Sequence, residues 1–154
     1  VHIRIAPEEV LGLARIAKQA PPVISSVVGD GDVIRVVADL RRLETLPGPL
    51  KLAVKIAPIV RADVKLASFE RGVATLSVEV NAAGLPAHRL LSLAAAPIEQ
   101  EVAKQGLPPG VVDVQPDARI AVDVERLLEA KFPGVTVTGA KVEGSHIVLD
   151  ASIS

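Results

Sequence analysis

Apolar and polar residues alternate over several stretches of this chain and fall into helical spacing over others. Residues 1–6 (VHIRIA) set Val1, Ile3 and Ile5 against His2 and Arg4, the pattern of a half-buried strand. Pro7 then suits the first position of a helix, because its missing N–H has no partner there anyway. Val10, Leu13, Ala14 and Ala17 form a stripe along that helix, widened by Leu11 and Ile16. Glu8 and Glu9 at its start and Lys18 near its end match the helix dipole. Pro21-Pro22 stops or kinks the helix, with further turns expected over 23–28. Gly29-Asp30-Gly31-Asp32 is a loop. Residues 32–40 alternate as a strand, residues 41–46 form a helical turn closed by Pro47-Gly48, and residues 50–69 alternate again as strand interrupted at Pro58.

The clearest figure is the stretch 64–80, two alternating strands about the tight turn Glu70-Arg71-Gly72. It returns over 137–153 about Glu143-Gly144-Ser145, so that Leu76 corresponds to Leu149 and Val80 to Ile153. Leu85-Pro86 opens a second helix in which LLSLA (90–94) matches VLGLA (10–14), and Pro97 punctuates it as Pro22 does the first. RVVADLRRL (35–43) matches RIAVDVERL (119–127). These matches predict an α+β fold, internally duplicated, built as one domain from repeats over about 1–72 and 73–154. A chain half this size is marginally stable alone, so the repeats are expected to share one curved antiparallel sheet. Polar residues on the outer strand faces place the proline-kinked helices on one face only.

Composition narrows the function. Nearly half the residues are apolar, but the chain has two Phe and no Trp, Tyr or Met, so the core is aliphatic. Seventeen basic against eighteen acidic residues leave no footprint for nucleic acid, and the missing aromatics remove stacking platforms for single strands. With no cysteine, disulfides and thiolate chemistry are excluded. No apolar run reaches the roughly 18–20 residues of a membrane span. The sequence starts at Val1 and is read as part of a longer precursor that carries any leader or anchor.

No grouping in the sequence names a reaction or a cofactor. His2, His88 and His146 are not at helical spacing from one another, and a zinc site would have to gather them in space. Asp30-Gly31-Asp32 lacks the later ligands of a calcium loop and reads as turn chemistry. The two prolines of Gly106–Gly110 remove donors that a phosphate cradle needs. Ser25, Ser26, Ser77 and Ser92 lack a nucleophile elbow, and the pairs Asp39/Arg42 and Asp123/Arg126 recur as expected structural ion pairs. The remaining signal is the aliphatic surplus of the two helices, which predicts an apolar groove lined by Leu13, Ile16, Val27, Leu90, Leu91, Leu93 and Ile98. The competing expectation is that these residues fill the core between helix and sheet.

The kinked helix over 7–28, the alternating strands over 32–40 and 50–69, and the strand, E-x-G, strand hairpin over 64–80 together resemble bacterial tubular lipid-binding-type domains and their small membrane-anchored relatives. The resemblance implies a non-enzymatic domain that binds a phospholipid or another acyl ligand outside the cytoplasm, beside a membrane, and it carries over no functional residue. The alternative reading is an interaction module, including a homodimer formed through a sheet edge, and a metal-dependent enzyme stands third.

Overall fold

The computed structural model describes residues 1–18, 20–43, 48–81 and 86–154. The fold is α+β with antiparallel sheets. In chain order it runs β1 (His2–Ile5), α1 (Pro7–Ile16), β2 (Ile24–Asp30), β3 (Val33–Asp39), a short 3-10 turn (Leu40–Arg42), α2 (Gly48–Ile56), β4 (Ile59–Glu70) and β5 (Val73–Asn81). It continues with α3 (Ala87–Lys104), β6 (Val112–Gln115), β7 (Arg119–Asp123), α4 (Val124–Lys131), β8 (Val135–Glu143) and β9 (His146–Ile153).

Both predicted hairpins form. Glu70 faces Val73 and Glu143 faces His146, leaving two-residue turns. Arg71 and Gly72 have φ of 52° and 78°, and Gly144 and Ser145 have 56° and 64°. Positive φ at both turn positions gives the twist that closes a two-residue hairpin. The first of these turns also starts a helix. The carbonyl of Gly72 accepts the N–H groups of Val124 and Glu125, and the Asp123 carboxylate accepts the N–H of Arg126 at 3.1 Å. Those bonds satisfy donors that the first turn of α4 cannot pair internally.

Three expectations are corrected. The strands make two sheets rather than one, a smaller sheet in the order β1-β9-β8 and a larger one in the order β2-β3-β4-β5-β7-β6. The break lies where β3 begins at Val33 opposite Lys65 while β4 continues to Glu70, so that this extension faces β8 across a slot. Second, the first helix ends at Ile16, and residues 24–30 are strand. Lys18 turns the chain with φ 58° before the prolines are reached, and the β-branched run that follows suits a pleated surface. Third, residues 48–56 are helical. The segment LKLAVKI is rich in helix formers and satisfies both periods, since Leu52 and Ile56 are alternating and also four apart. Helix α3 runs through Pro97, whose ring is buried, so the proline that punctuates it does not end it. Of the helical turn expected over 41–46, residues 41 and 42 are 3-10, and 44–47 and 85 lie outside the described residues.

The order of elements after β5 follows that after β1, and the hairpins β2–β3 and β4–β5 have counterparts in β6–β7 and β8–β9, but β3 pairs with β4 whereas β7 pairs with β5. The ion pairs also differ. Asp39 binds Arg41 rather than Arg42, through Nε and Nη2 at 2.9 Å each, while the Arg126 side chain donates to the carbonyl of Pro109. The core of the larger sheet centres on Val60 of β4 and Leu90 of α3, with Leu40, Leu43, Val80 and Leu93 packed around them.

The smaller sheet docks on the larger through two turns. Ser145 N–H donates to the Gly31 carbonyl at 2.9 Å, and Gly31 N–H donates to Ser145 Oγ at 3.0 Å. Gly29 lies under this contact. A Cβ there would overlap the Ser145 carbonyl oxygen, sit 2.9 Å from its carbon and press on Pro7 at 3.1 Å. Gly29→Ala should therefore cost about 1–3 kcal/mol, as overpacking against backbone does. Gly12→Ala, in α1 with nothing within 4 Å of the new methyl, should stabilise by about 0.5–1 kcal/mol. Urea unfolding of the two variants checks both signs.

Candidate functional site: an apolar groove between α1 and two sheets

Helix α1 is fixed along the edge of the larger sheet by its polar side chains. The Ala6 N–H, ahead of the helix, is taken by Glu9 Oε1 at 3.0 Å, the half of a capping box that needs no side chain at the cap position. Glu8 Oε2 accepts the N–H of Gly29 at 3.2 Å, and Arg15 Nη2 donates to the carbonyl of Ser25 at 2.8 Å. Both backbone groups belong to β2, the edge strand. Two polar side chains thus cover an edge that would otherwise offer pairing to another chain.

With its polar side so anchored, α1 turns Pro7, Val10, Leu11 and Ala14 toward Ile24 and Val27 of β2, Ile34 of β3 and Ile147 of β9. These side chains line an open groove of about 220 Å³. Every one of them is apolar. Pro7 and Leu11 are buried at its floor, while Val10 stays 42% exposed at its lip. The groove needs both sheets: Ile147 of β9 pairs with Ile5 of β1, which leads directly into α1, and the Gly29–Ser145 contact seats the adjoining β8–β9 turn against β2.

The residues predicted from sequence are distributed over three places. Val27 lines the groove. Leu13 and Ile16 lie on the outer crest of α1, at 59% and 81% exposure, instead of facing inward. Leu90 and Leu91 are buried beneath α3, Leu93 packs on the same core, and Ile98 is half-buried farther along that helix. The structure does not bring the α3 residues together with Val27. Sequence reasoning missed Pro7, Val10, Leu11, Ala14, Ile24, Ile34 and Ile147 as lining residues. The stripe of α1 was a signal for Val10 and Ala14, but nothing local points to Ile147.

The titratable groups lie elsewhere. His2 Nδ1 bonds Asp150 Oδ1 at 2.7 Å across β1 and β9, and this bond holds the Asp150 carboxyl below its ordinary value. His146 Nδ1 lies 2.7 Å from the Gly144 carbonyl oxygen, and His88 is exposed on α3. Among the described residues no three of His, Cys, Asp and Glu gather closely enough to hold a metal ion. The bidentate bond from Arg41 likewise lowers the pKa of Asp39, which is only 9% exposed. No helix among the described residues is long and apolar enough to cross a membrane.

Two predictions follow from these placements. Leu90→Ala should cost roughly 2–5 kcal/mol by opening the core, whereas Leu13→Ala should change stability by no more than about 0.5 kcal/mol; thermal and urea unfolding measure both. The Asp39–Arg41 contribution is present above the ordinary carboxylate pKa of about 3.9 and is lost as pH falls through the lower folded value. The acid-unfolding midpoint should therefore move up in Asp39→Asn, and an unchanged midpoint would show that the pair contributes nothing. Comparison with protein-family models, with curated proteins and with solved structures brings no match for this chain.

Proposed function

We propose that this protein is a non-enzymatic binding domain whose groove between α1 and the two sheets takes the hydrocarbon part of a lipid or other acyl ligand. The observation that carries this reading is the lining itself: eight apolar side chains from α1, β2, β3 and β9 around about 220 Å³ of open space. Aliphatic walls give non-directional attraction proportional to the area they cover, which suits a flexible chain rather than a patterned polar molecule. A closed apolar cavity of about 150 Å³ admits a benzene ring. The groove therefore has room for a segment of an acyl chain, with the rest of the ligand outside its mouth.

A binding role beside a membrane fits the same surface, because the exposed crest of α1 adjoins the lip of the groove at Val10. The covering of the β2 edge by Glu8 and Arg15 speaks against that edge as the place where another chain adds a strand.

The test is direct. Organic extraction of the purified protein should release an acyl compound, or the protein should take up a fluorescent fatty acid with saturation. Val27→Asp should abolish uptake while leaving the unfolding transition cooperative, because a charge on the groove wall has no partner there. Absence of both a co-purifying acyl compound and any uptake by the unaltered protein would remove the proposal.

A further inference from the structure

The walls of the groove are apolar throughout, but its two ends are opposite in charge. Glu8 and Arg15 clamp α1 to Gly29 and Ser25 of β2, at points roughly 10 Å apart along the helix axis. At the Glu8 end stand the carboxylates of Glu8 and Glu9 on α1 and of Asp30 and Asp32 in the β2–β3 turn. Arg35 binds Asp30 there at 3.0 Å, while Arg4 Nη2 lies 3.5 Å from His146 Nδ1. Toward the Arg15 end the balance reverses. From Val10 to Gly29 the chain has no acidic residue and carries the cations Arg15 and Lys18. Carboxylates of neighbouring elements are engaged: Asp39, whose N–H donates to the Val23 carbonyl, is held by Arg41, and Glu101, beside Val23 with Arg42 and Lys104, accepts from Gln105. The negative end of the α1 dipole amounts to roughly half a charge, less than those two cations supply.

Arg15 adjoins the groove on both walls. Its neighbour Ala14 and the Ile24 that precedes Ser25 are lining residues, and Arg15 Nη2 reaches the Ser25 carbonyl at 2.8 Å. Leu11, buried at the floor, lies one turn back on the same face of the helix. The Arg15 side chain is exposed and has no carboxylate partner among the described residues. A guanidinium carries five N–H donors in a planar fork, and the bond to Ser25 uses one of them. Held at that corner, Arg15 keeps donors in the geometry that suits the paired oxygens of a carboxylate or phosphate.

Given the acyl-binding role proposed for the groove, we infer that Arg15 anchors the head of the ligand, which is therefore an anionic amphiphile with its oxyanion on Arg15 and its chain running toward Ile147. The reverse orientation would set the oxyanion among the carboxylates at the Glu8 end. A neutral amphiphile gains nothing from Arg15, so the charge selects the class of ligand while the walls accept any aliphatic chain.

Displacement of a fluorescent fatty acid by decanoate, decyl phosphate and decanol separates head from chain. Arg15→Gln should weaken the anionic ligands about fivefold to tenfold and leave decanol within about twofold. Arg15→Lys, which keeps the charge, should retain most of the anion affinity. Arg89→Gln, which removes an exposed cation on α3 instead, should change none of the three. Whichever anion responds to Arg15→Gln identifies the head as carboxylate or phosphate. In the unaltered protein the Arg15 Nε–H resonance should shift as the anion saturates and hold its place with decanol, a readout that needs no variant. Equal loss of all three ligands in Arg15→Gln, no loss of either anion, the same loss in Arg89→Gln, or an Arg15 resonance indifferent to the anions overturns the inference. Decanol uptake by the unaltered protein would still leave the groove as an acyl site, whereas no uptake of any of the three removes both proposals.

Discussion

Two turns meeting at a residue without a side chain hold this molecule together. The β2–β3 turn and the β8–β9 turn exchange hydrogen bonds between Gly31 and Ser145, and they can approach only because Gly29 offers bare backbone to the Ser145 carbonyl. Pro7 packs on the same spot and Glu8 bonds the Gly29 N–H, so α1 is seated by the contact as well. Three elements distant in sequence thus converge on one glycine. That approach seats the β8–β9 turn on β2, while the pairing of Ile5 with Ile147 and the step from β1 into α1 carry Ile147 to the groove.

The two helices rich in aliphatic residues have different fates for the same reason. Helix α3 lies over the larger sheet, where Leu90 packs with Val60, and Leu91 beside it is buried as well. Helix α1 is tied by Glu8 and Arg15 to the edge of that sheet, so its stripe is split between groove and solvent. Burial of the α3 residues supplies stability, while the surface of α1 stays half covered. A short helix with few intrinsic stabilising pairs depends on its tertiary contacts. The polar anchoring of α1 is therefore part of the site and not an ornament of it.

Much of the strand content was legible because short-range chemistry decides it. Alternation in residues 1–6 and 32–40 predicts β1 and β3, and Arg71-Gly72 and Gly144-Ser145 accept the positive φ that their turns need. LKLAVKI was misread because alternation and helical spacing coincide in so short a segment, and Lys, Leu and Ala then favour the helix. The run 23–28 was misread for a related reason: two prolines interrupt helices, and the reading carried the helix past them instead of ending it before. The groove was only partly legible. Aliphatic spacing on α3 looks the same whether the residues face a core or a ligand, and Ile147 meets α1 only in three dimensions. Gly29 read as ordinary loop glycine, since the demand for it comes from Ser145 far along the chain.

The central claim is that the groove joining α1 to both sheets, and not the surface under α3, receives an apolar ligand. A methyl-resolved NMR titration with a short fatty acid tests it most directly. The account predicts saturable shifts at the methyl groups of Val10, Leu11, Val27, Ile34 and Ile147, with Leu90 and Leu91 unmoved. Shifts confined to Leu90 and Leu91, or none at any of these positions as the fatty acid is added, would contradict it.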